Sequence, residues 1–297
     1  MDKPQIIGIG LDGLVGSRIQ ELLSHEFDFV SLKQSDGIDI TNPSTIAVIK
    51  EYEDSDFVMH LAAKSDVDGC EKDKELGEAG SAWKINVDGT KNIAEICKET
   101  GKKIIYFSTD FVFNGSKPKG DSYSEEDMPD PINWYAHTKY QGELAVEQSG
   151  ADYVIVRIAF PYRKSFGAKK DFFRSIYESL QKGKKIEAVG DEYFSPTLID
   201  DISLAIGQLI RNDLMGIYHV VGSDYLSSYE AALKIAEIFG FPKDLIEKTK
   251  REDFFKGRAP RPFNSTLGND KIARLGVEMR SFEEGLREIK YQILNSK

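Results

Sequence analysis

Short apolar runs recur along the first two-thirds of the chain, at residues 6–9, 27–32, 57–61, 103–107 and 153–156. Runs of this length, without strict alternation and flanked by turn residues, predict strands buried on both faces. Between them the apolar positions switch to a helical period. Val15, Ile19, Leu22 and Leu23 share one face, Ile85, Ile93, Ile96 and Cys97 a second, and Leu144, Ala145 and Val146 belong to a third. Strand–helix–strand alternation predicts an α/β fold with a doubly wound parallel sheet and right-handed crossovers.

The pattern changes after Phe160. Phe172, Phe173, Ile176, Tyr177 and Leu180 form a helical stripe, Ile186–Val189 reads as a short strand, and Pro196-Thr197 marks a loop. Residues 204–210 read as helix, 217–221 as strand, and 229–239 as a helix stopped by Gly240 and Pro242. These pieces predict two units. Residues 1–160 with about 200–222 form the sheet unit, and residues 161–199 with 223–297 form a smaller α/β unit.

Length and composition agree with this division. At about 150 residues per domain, 297 residues suit two units. Apolar residues make up 40% and charged residues 30%, which excludes disordered and fibrous classes. There are 39 basic and 49 acidic side chains, a net charge of −10, which argues against general nucleic-acid binding. No apolar stretch approaches the ~18 residues of a membrane span, and residues 6–9 are too short for a signal core. Cys70 and Cys97 lack paired spacing and read as reduced thiols of a cytoplasmic protein. His25, His60, His137 and His219 show no metal-ligand spacing, so no metal is expected; Asp66, Asp68 and Glu71 read as helix-start carboxylates.

Two patterns carry chemistry. Gly10-Leu11-Asp12-Gly13-Leu14-Val15-Gly16 follows the first strand and opens a helix. Glycines there allow a tight turn and let a pyrophosphate approach backbone N–H groups at the helix start. The same spacing also serves as a purely structural turn, but its place after strand one points to a dinucleotide and a Rossmann unit. At the end of the second strand stands Lys33, which suits the 2′-phosphate of NADPH; Asp36 nearby keeps NADH open. Tyr135 and Lys139 lie four residues apart, on one helical face. A lysine ammonium favours phenolate, so the pair can exchange a proton with a carbonyl or alcohol oxygen. Such spacing is common by chance; its weight comes from Ser108-Thr109-Asp110 at the end of the fourth strand, where open α/β sheets bind ligands.

With these residues in view, the chain resembles an extended short-chain dehydrogenase/reductase, and within that group the dTDP-4-dehydrorhamnose reductase family. The matching pieces are Gly10 to Gly16, Asp39-Ile40-Thr41, His60 to Ala63 with Asp66 to Glu71, Ile85-Asn86-Val87, Ser108 to Phe113, Tyr135 to Lys139 with Gly142-Glu143, Ser195-Pro196-Thr197, Gly216 to His219 and Arg261 to Ser265. The last three belong to the family's substrate unit. The resemblance implies a cofactor site of Gly10, Asp12, Gly13, Leu14, Val15, Gly16, Lys33, Asp39, Ile40, Leu61, Ala62, Ala63, Ser108, Tyr135 and Lys139. It implies a catalytic set of Thr109, Tyr135 and Lys139, with Tyr135 as acid and Lys139 holding the nicotinamide ribose and lowering the Tyr135 pKa. It places substrate against Thr109, Asp110, Phe111, Phe160 and Arg261. The family often carries an acid where Lys33 stands and tryptophan where Phe160 stands.

The function implied is NAD(P)H-dependent reduction of the 4-keto group of a nucleotide-linked 6-deoxyhexose, with a homodimer open as the assembly. Two rivals stay open: a sugar-nucleotide 4-epimerase, and a non-catalytic NADP-binding subunit like that of methionine adenosyltransferase. A dehydratase would need an acid where Phe111 stands.

Overall fold

The computed structural model describes residues 3–295 except Phe166, Ala168 and Lys169. Residues 1, 2, 296 and 297, at the outer ends of the two expected units, lie outside the described residues. Among those described, ten strands follow in chain order: β1 (Gln5–Ile9), β2 (Asp28–Leu32), β3 (Ser55–His60), β4 (Lys103–Thr109), β5 (Tyr153–Ile158), β6 (Pro161–Tyr162), β7 (Ile186–Val189), β8 (Thr197–Leu198), β9 (Gly216–His219) and β10 (Ile246–Thr249).

Six of them form one parallel sheet in the order β2-β1-β3-β4-β5-β9. From β1 the chain first steps outward to β2. It then returns to β3 on the other side and winds on through β4, β5 and β9. The direction of winding therefore reverses between β1 and β3, and ligands bind beyond the carboxyl ends of strands at such a switch point.

The side-chain period of two sorts the sheet into two faces. Ile6, Met59, Ile105 and Val156 pack with Ile19 and Leu23 of the helix Gly16–Leu23 and with Ile202, Ile206 and Leu209 of the helix Ile199–Arg211. Ile7, Ile9, Val58, Ile104 and Ile155 pack on the opposite face with Ile93 and Cys97 of the helix Gly89–Thr100 and with Val146 of the helix Trp134–Ser149. Each such buried aliphatic side chain contributes about 1.5–3 kcal/mol.

A separate apolar core joins Tyr162, Phe173, Leu180, Phe194, Ile235 and Phe282, with the parallel pair β7 and β10 at its edge. The helices Phe172–Gln181, Ser228–Phe239 and Phe282–Leu294 supply most of it. Gly216 to His219, which the resemblance counts with the substrate unit, form β9 of the six-stranded sheet. The packing also departs from the sequence division in one stretch. Ile272, Val277 and Met279 join the sheet core, because the chain runs back beneath β9 before reaching the last helix.

Candidate active site

The turn after β1 is held open by its glycines. Gly10 has φ +87°, and a Cβ there would lie 2.7 Å from the Ala62 nitrogen. A Cβ on Gly16 would lie 2.7 Å from the Gly10 oxygen. The Leu61 and Ala62 N–H groups donate to the Ile9 oxygen at 2.9 and 3.1 Å, which seats the loop after β3 against this turn. Ala63 follows, half-buried. Asp12 is exposed, Leu14 is half-buried, Val15 is buried, and the helix Gly16–Leu23 starts here with its positive end at the switch point. At the end of β2 the Ser31 hydroxyl is buried without a partner, and Lys33 is half-buried two residues on. Asp36 is exposed and accepts from the Ser35 hydroxyl at 3.2 Å. Asp39 turns its carboxylate to the Thr41 N–H and hydroxyl, at 2.9 and 2.8 Å, while Ile40 is buried in the second sheet core.

The catalytic candidates come from two neighbouring elements. Asn133 caps the helix Trp134–Ser149, its side-chain oxygen accepting from the Ala136 N–H at 2.8 Å. One turn of that helix aligns Tyr135 with Lys139. Lys139 is buried, its Nζ 4.1 Å from the Tyr106 ring centroid. Thr109 ends β4; its hydroxyl donates to Asp110 at 3.0 Å and accepts from the Phe111 N–H at 3.3 Å. The Ser265 hydroxyl donates to the other Asp110 oxygen at 2.6 Å. The Ser108 hydroxyl is buried with no partner.

Burial sets the proton affinities. It lifts the Tyr135 phenol above its ordinary value, opposed by a hydrogen bond with Thr109. Burial pushes Lys139 down to about 7, opposed by the Glu143 carboxylate. It pushes Asp110 up to about 7 against the Ser265 and Thr109 hydrogen bonds. From spacing alone, Lys139 is expected to pull the phenol down. Desolvation instead raises the phenol and lowers the ammonium, moving the two proton affinities apart. The phenol is left protonated, the form a proton donor needs.

Beside this group lies a cavity of about 300 Å³ bordered by Phe111, Phe160, Glu192, Arg258, Arg261 and Ser265. The Phe111 ring meets Tyr135 edge-on at 6.4 Å and Phe160 at 6.1 Å. Phe160 has φ +41°, rare for a side-chain-bearing residue, and its ring stacks on Phe194 at 3.8 Å. Arg258 and Arg261 are not free in solvent. Arg258 Nε donates to Asp68 at 2.9 Å, and Arg261 donates to Asp68 at 2.9 Å and to the Ala259 oxygen at 2.7 Å.

The family model described as the RmlD substrate binding domain matches residues 4–294. A dTDP-4-dehydrorhamnose reductase of Sinorhizobium fredii is 30% identical over 269 residues, 86% of each chain. The chain belongs to the dTDP-4-dehydrorhamnose reductase family. The crystal structure of the Bacillus anthracis family member in complex with NADP is 32% identical, with a TM-score of 0.88 over 98% of this chain and all of that one. Methionine adenosyltransferase 2 subunit beta of Xenopus laevis is also similar, 28% identical over 84% of this chain and 74% of its own.

A nicotinamide dinucleotide fits the residues present in this family member. A Cβ would fill the Gly10–Gly16 cradle, and the unpartnered Ser31 and Ser108 hydroxyls lie at the ends of β2 and β4. Sequence reasoning had not given Asn86 a role. Its side chain accepts from the Lys64 N–H at 2.8 Å and donates to the Lys64 oxygen at 3.1 Å and to Thr138 at 2.9 Å. It thus ties the loop after β3 to the helix of Tyr135, and it sits in a wide π-type turn, Lys84–Asp88. An asparagine between Ile85 and Val87, in an otherwise apolar stripe, is the signal that could have found it. Asp68 lies in the first turn of the helix Val67–Lys72, as its reading as a helix-start carboxylate expects, and it also anchors the tail arginines. Glu71 accepts from the Trp134 N–H at 2.7 Å. No cluster of metal-ligating side chains occurs among the described residues. Burial pushes His60 and His219 down to about 3, so both stay neutral packing residues near neutral pH.

Proposed function

We propose that this protein reduces the 4-keto group of a nucleotide-linked 6-deoxyhexose with NADPH, as a dTDP-4-dehydrorhamnose reductase. One observation carries the reading: the glycine cradle after β1 and the Thr109–Tyr135–Lys139 group after β4 lie at the carboxyl ends of the strands, with the cavity of Phe111, Phe160 and Arg261 beside them. In this reading the sheet unit, residues 1–160 with about 200–222, holds the cofactor. Residues 161–199 with 223–297 hold the sugar nucleotide, save for the stretch packed beneath the sheet.

Gly10, Gly13 and Gly16 cradle the pyrophosphate, with Asp12, Leu14 and Val15 shaping the turn. Lys33 and Ser31 face the 2′-phosphate. Asp39 and Ile40 flank the adenine end, and Leu61, Ala62, Ala63 and Ser108 line the rest. The bound nicotinamide supplies the hydride. Thr109 and Tyr135 hold the keto oxygen, and Tyr135 gives it the proton while C4 becomes an alcohol carbon. Lys139 holds the nicotinamide ribose, and its charge steadies the phenolate left behind. Phe111 and Phe160 wall the sugar, and Arg261 supplies positive charge to the diphosphate.

Where a dehydratase needs an acid, Phe111 offers none. The reading places the enzyme in the cytoplasm, which suits two buried free thiols. Among the described residues no helix is long and apolar enough to cross a membrane. Steady consumption of NADPH with a 4-keto sugar nucleotide tests it. Cofactor binding without turnover would favour the regulatory-subunit reading.

A further inference from the structure

Glu192 lines the cavity two residues before Phe194, whose ring ends the series Tyr135–Phe111–Phe160–Phe194. Its side chain is buried, at 8% exposure. One carboxylate oxygen accepts from the Ser228 hydroxyl at 2.6 Å. That bond serves the start of the helix Ser228–Phe239. The other oxygen has no hydrogen-bond partner among the described residues and is not sealed off in the protein. An ionised carboxylate accepts only, so this oxygen is open to a donor that enters the cavity. Burial raises its proton affinity, while Arg261 and Arg251 act against that rise. Aromatic rings form much of the wall, and among the described residues Glu192 is the one carboxylate beside the donors Arg258, Arg261, Ser228 and Ser265 that line it.

We infer that Glu192 is a specificity residue, accepting a hydrogen bond through its free oxygen from a hydroxyl or N–H of the bound nucleotide sugar. This rests on the reductase reading above. The donor lies on the sugar or on the nucleoside, and two ligands separate these sources.

The test is calorimetric binding of dTDP and of dTDP-L-rhamnose to the NADP-loaded wild type, Glu192→Gln and Glu192→Leu. Glutamine keeps an acceptor for Ser228 and presents an amide donor where the free oxygen stood. Leucine removes both. The expected result is binding weakened by about tenfold or more in both variants, with NADP affinity and melting temperature close to wild type. Loss with dTDP-L-rhamnose alone puts the donor on the sugar; equal loss with both ligands puts it on the nucleoside. Binding of both ligands within about twofold of wild type by both variants overturns the inference while leaving the reductase reading standing. A wild type that binds neither ligand overturns the reductase reading and this inference together.

Discussion

Tyr135 and Lys139 divide the proton chemistry between a group whose affinity burial raises and one whose affinity burial lowers. Tyr135→Phe deletes the hydroxyl alone, so turnover is expected to fall about 100- to 10,000-fold with NADPH binding intact. Turnover within a few-fold of wild type, in steady-state assays, removes Tyr135 from the role. For Lys139 the sign follows from linkage. Its folded-state pKa is about 7 against an ordinary 10.5, so the unfolded chain binds more protons between those values. Its contribution therefore disfavours folding fully below about pH 7 and fades as pH rises toward 10.5. Lys139→Met in the cofactor-free protein is expected to gain stability relative to wild type at about pH 6, and to lose most of that gain by about pH 10. Urea titrations at the two pH values measure it, and an equal difference at both would show that Lys139 is not desolvated. The spacing of Tyr135 and Lys139 was legible in the sequence. The separation of their proton affinities was not, because desolvation depends on what covers a side chain: here Tyr106, from a distant strand.

Elements that bury a stripe or a run were the most readable. All five strands anticipated before residue 160 occur, each within two residues at either end, since apolar runs leave a strand few other arrangements. The same reading treated Ile85 as part of an ordinary helix. A wide turn stands there instead, because Asn86 spends its side chain on the backbone of Lys64. Phe160 was legible as an aromatic wall but not as a residue at φ +41°, which no local pattern reports. The turn after β1 makes its own prediction. Gly10→Ala must place a Cβ 2.7 Å from a backbone nitrogen at a positive φ. Strain of this kind costs about 1–3 kcal/mol. NADPH binding is expected to weaken about tenfold or more, read by fluorescence titration, and unchanged affinity would show that this turn does not hold the cofactor.

Across the whole molecule, the tail closes on the helix Val67–Lys72 through Asp68, which takes Arg258 and Arg261 together. The sequence shows the arginines and the carboxylate, but 190 residues separate Arg258 from Asp68, and a join of that length is invisible to local pattern. Arg261→Ala leaves Arg258 on Asp68, so the tail stays seated while one cation leaves the cavity wall. The KM for the sugar nucleotide is expected to rise about tenfold or more, with NADPH affinity unchanged. Kinetics with each substrate varied in turn decide it; a fall in NADPH affinity with an unaltered sugar-nucleotide KM would place Arg261 in the cofactor site. The pairing of a dinucleotide cradle with a Tyr–Lys group beside an aromatic cavity makes one claim above the others, that this protein carries out reduction as well as cofactor binding. The direct measurement is NADPH oxidation by the purified protein with a dTDP-linked 4-keto-6-deoxyhexose, with product sugar nucleotide quantified alongside. One NADPH consumed per alcohol formed, lost in Tyr135→Phe, is the predicted result. NADPH that binds yet is not consumed with saturating sugar nucleotide would contradict it.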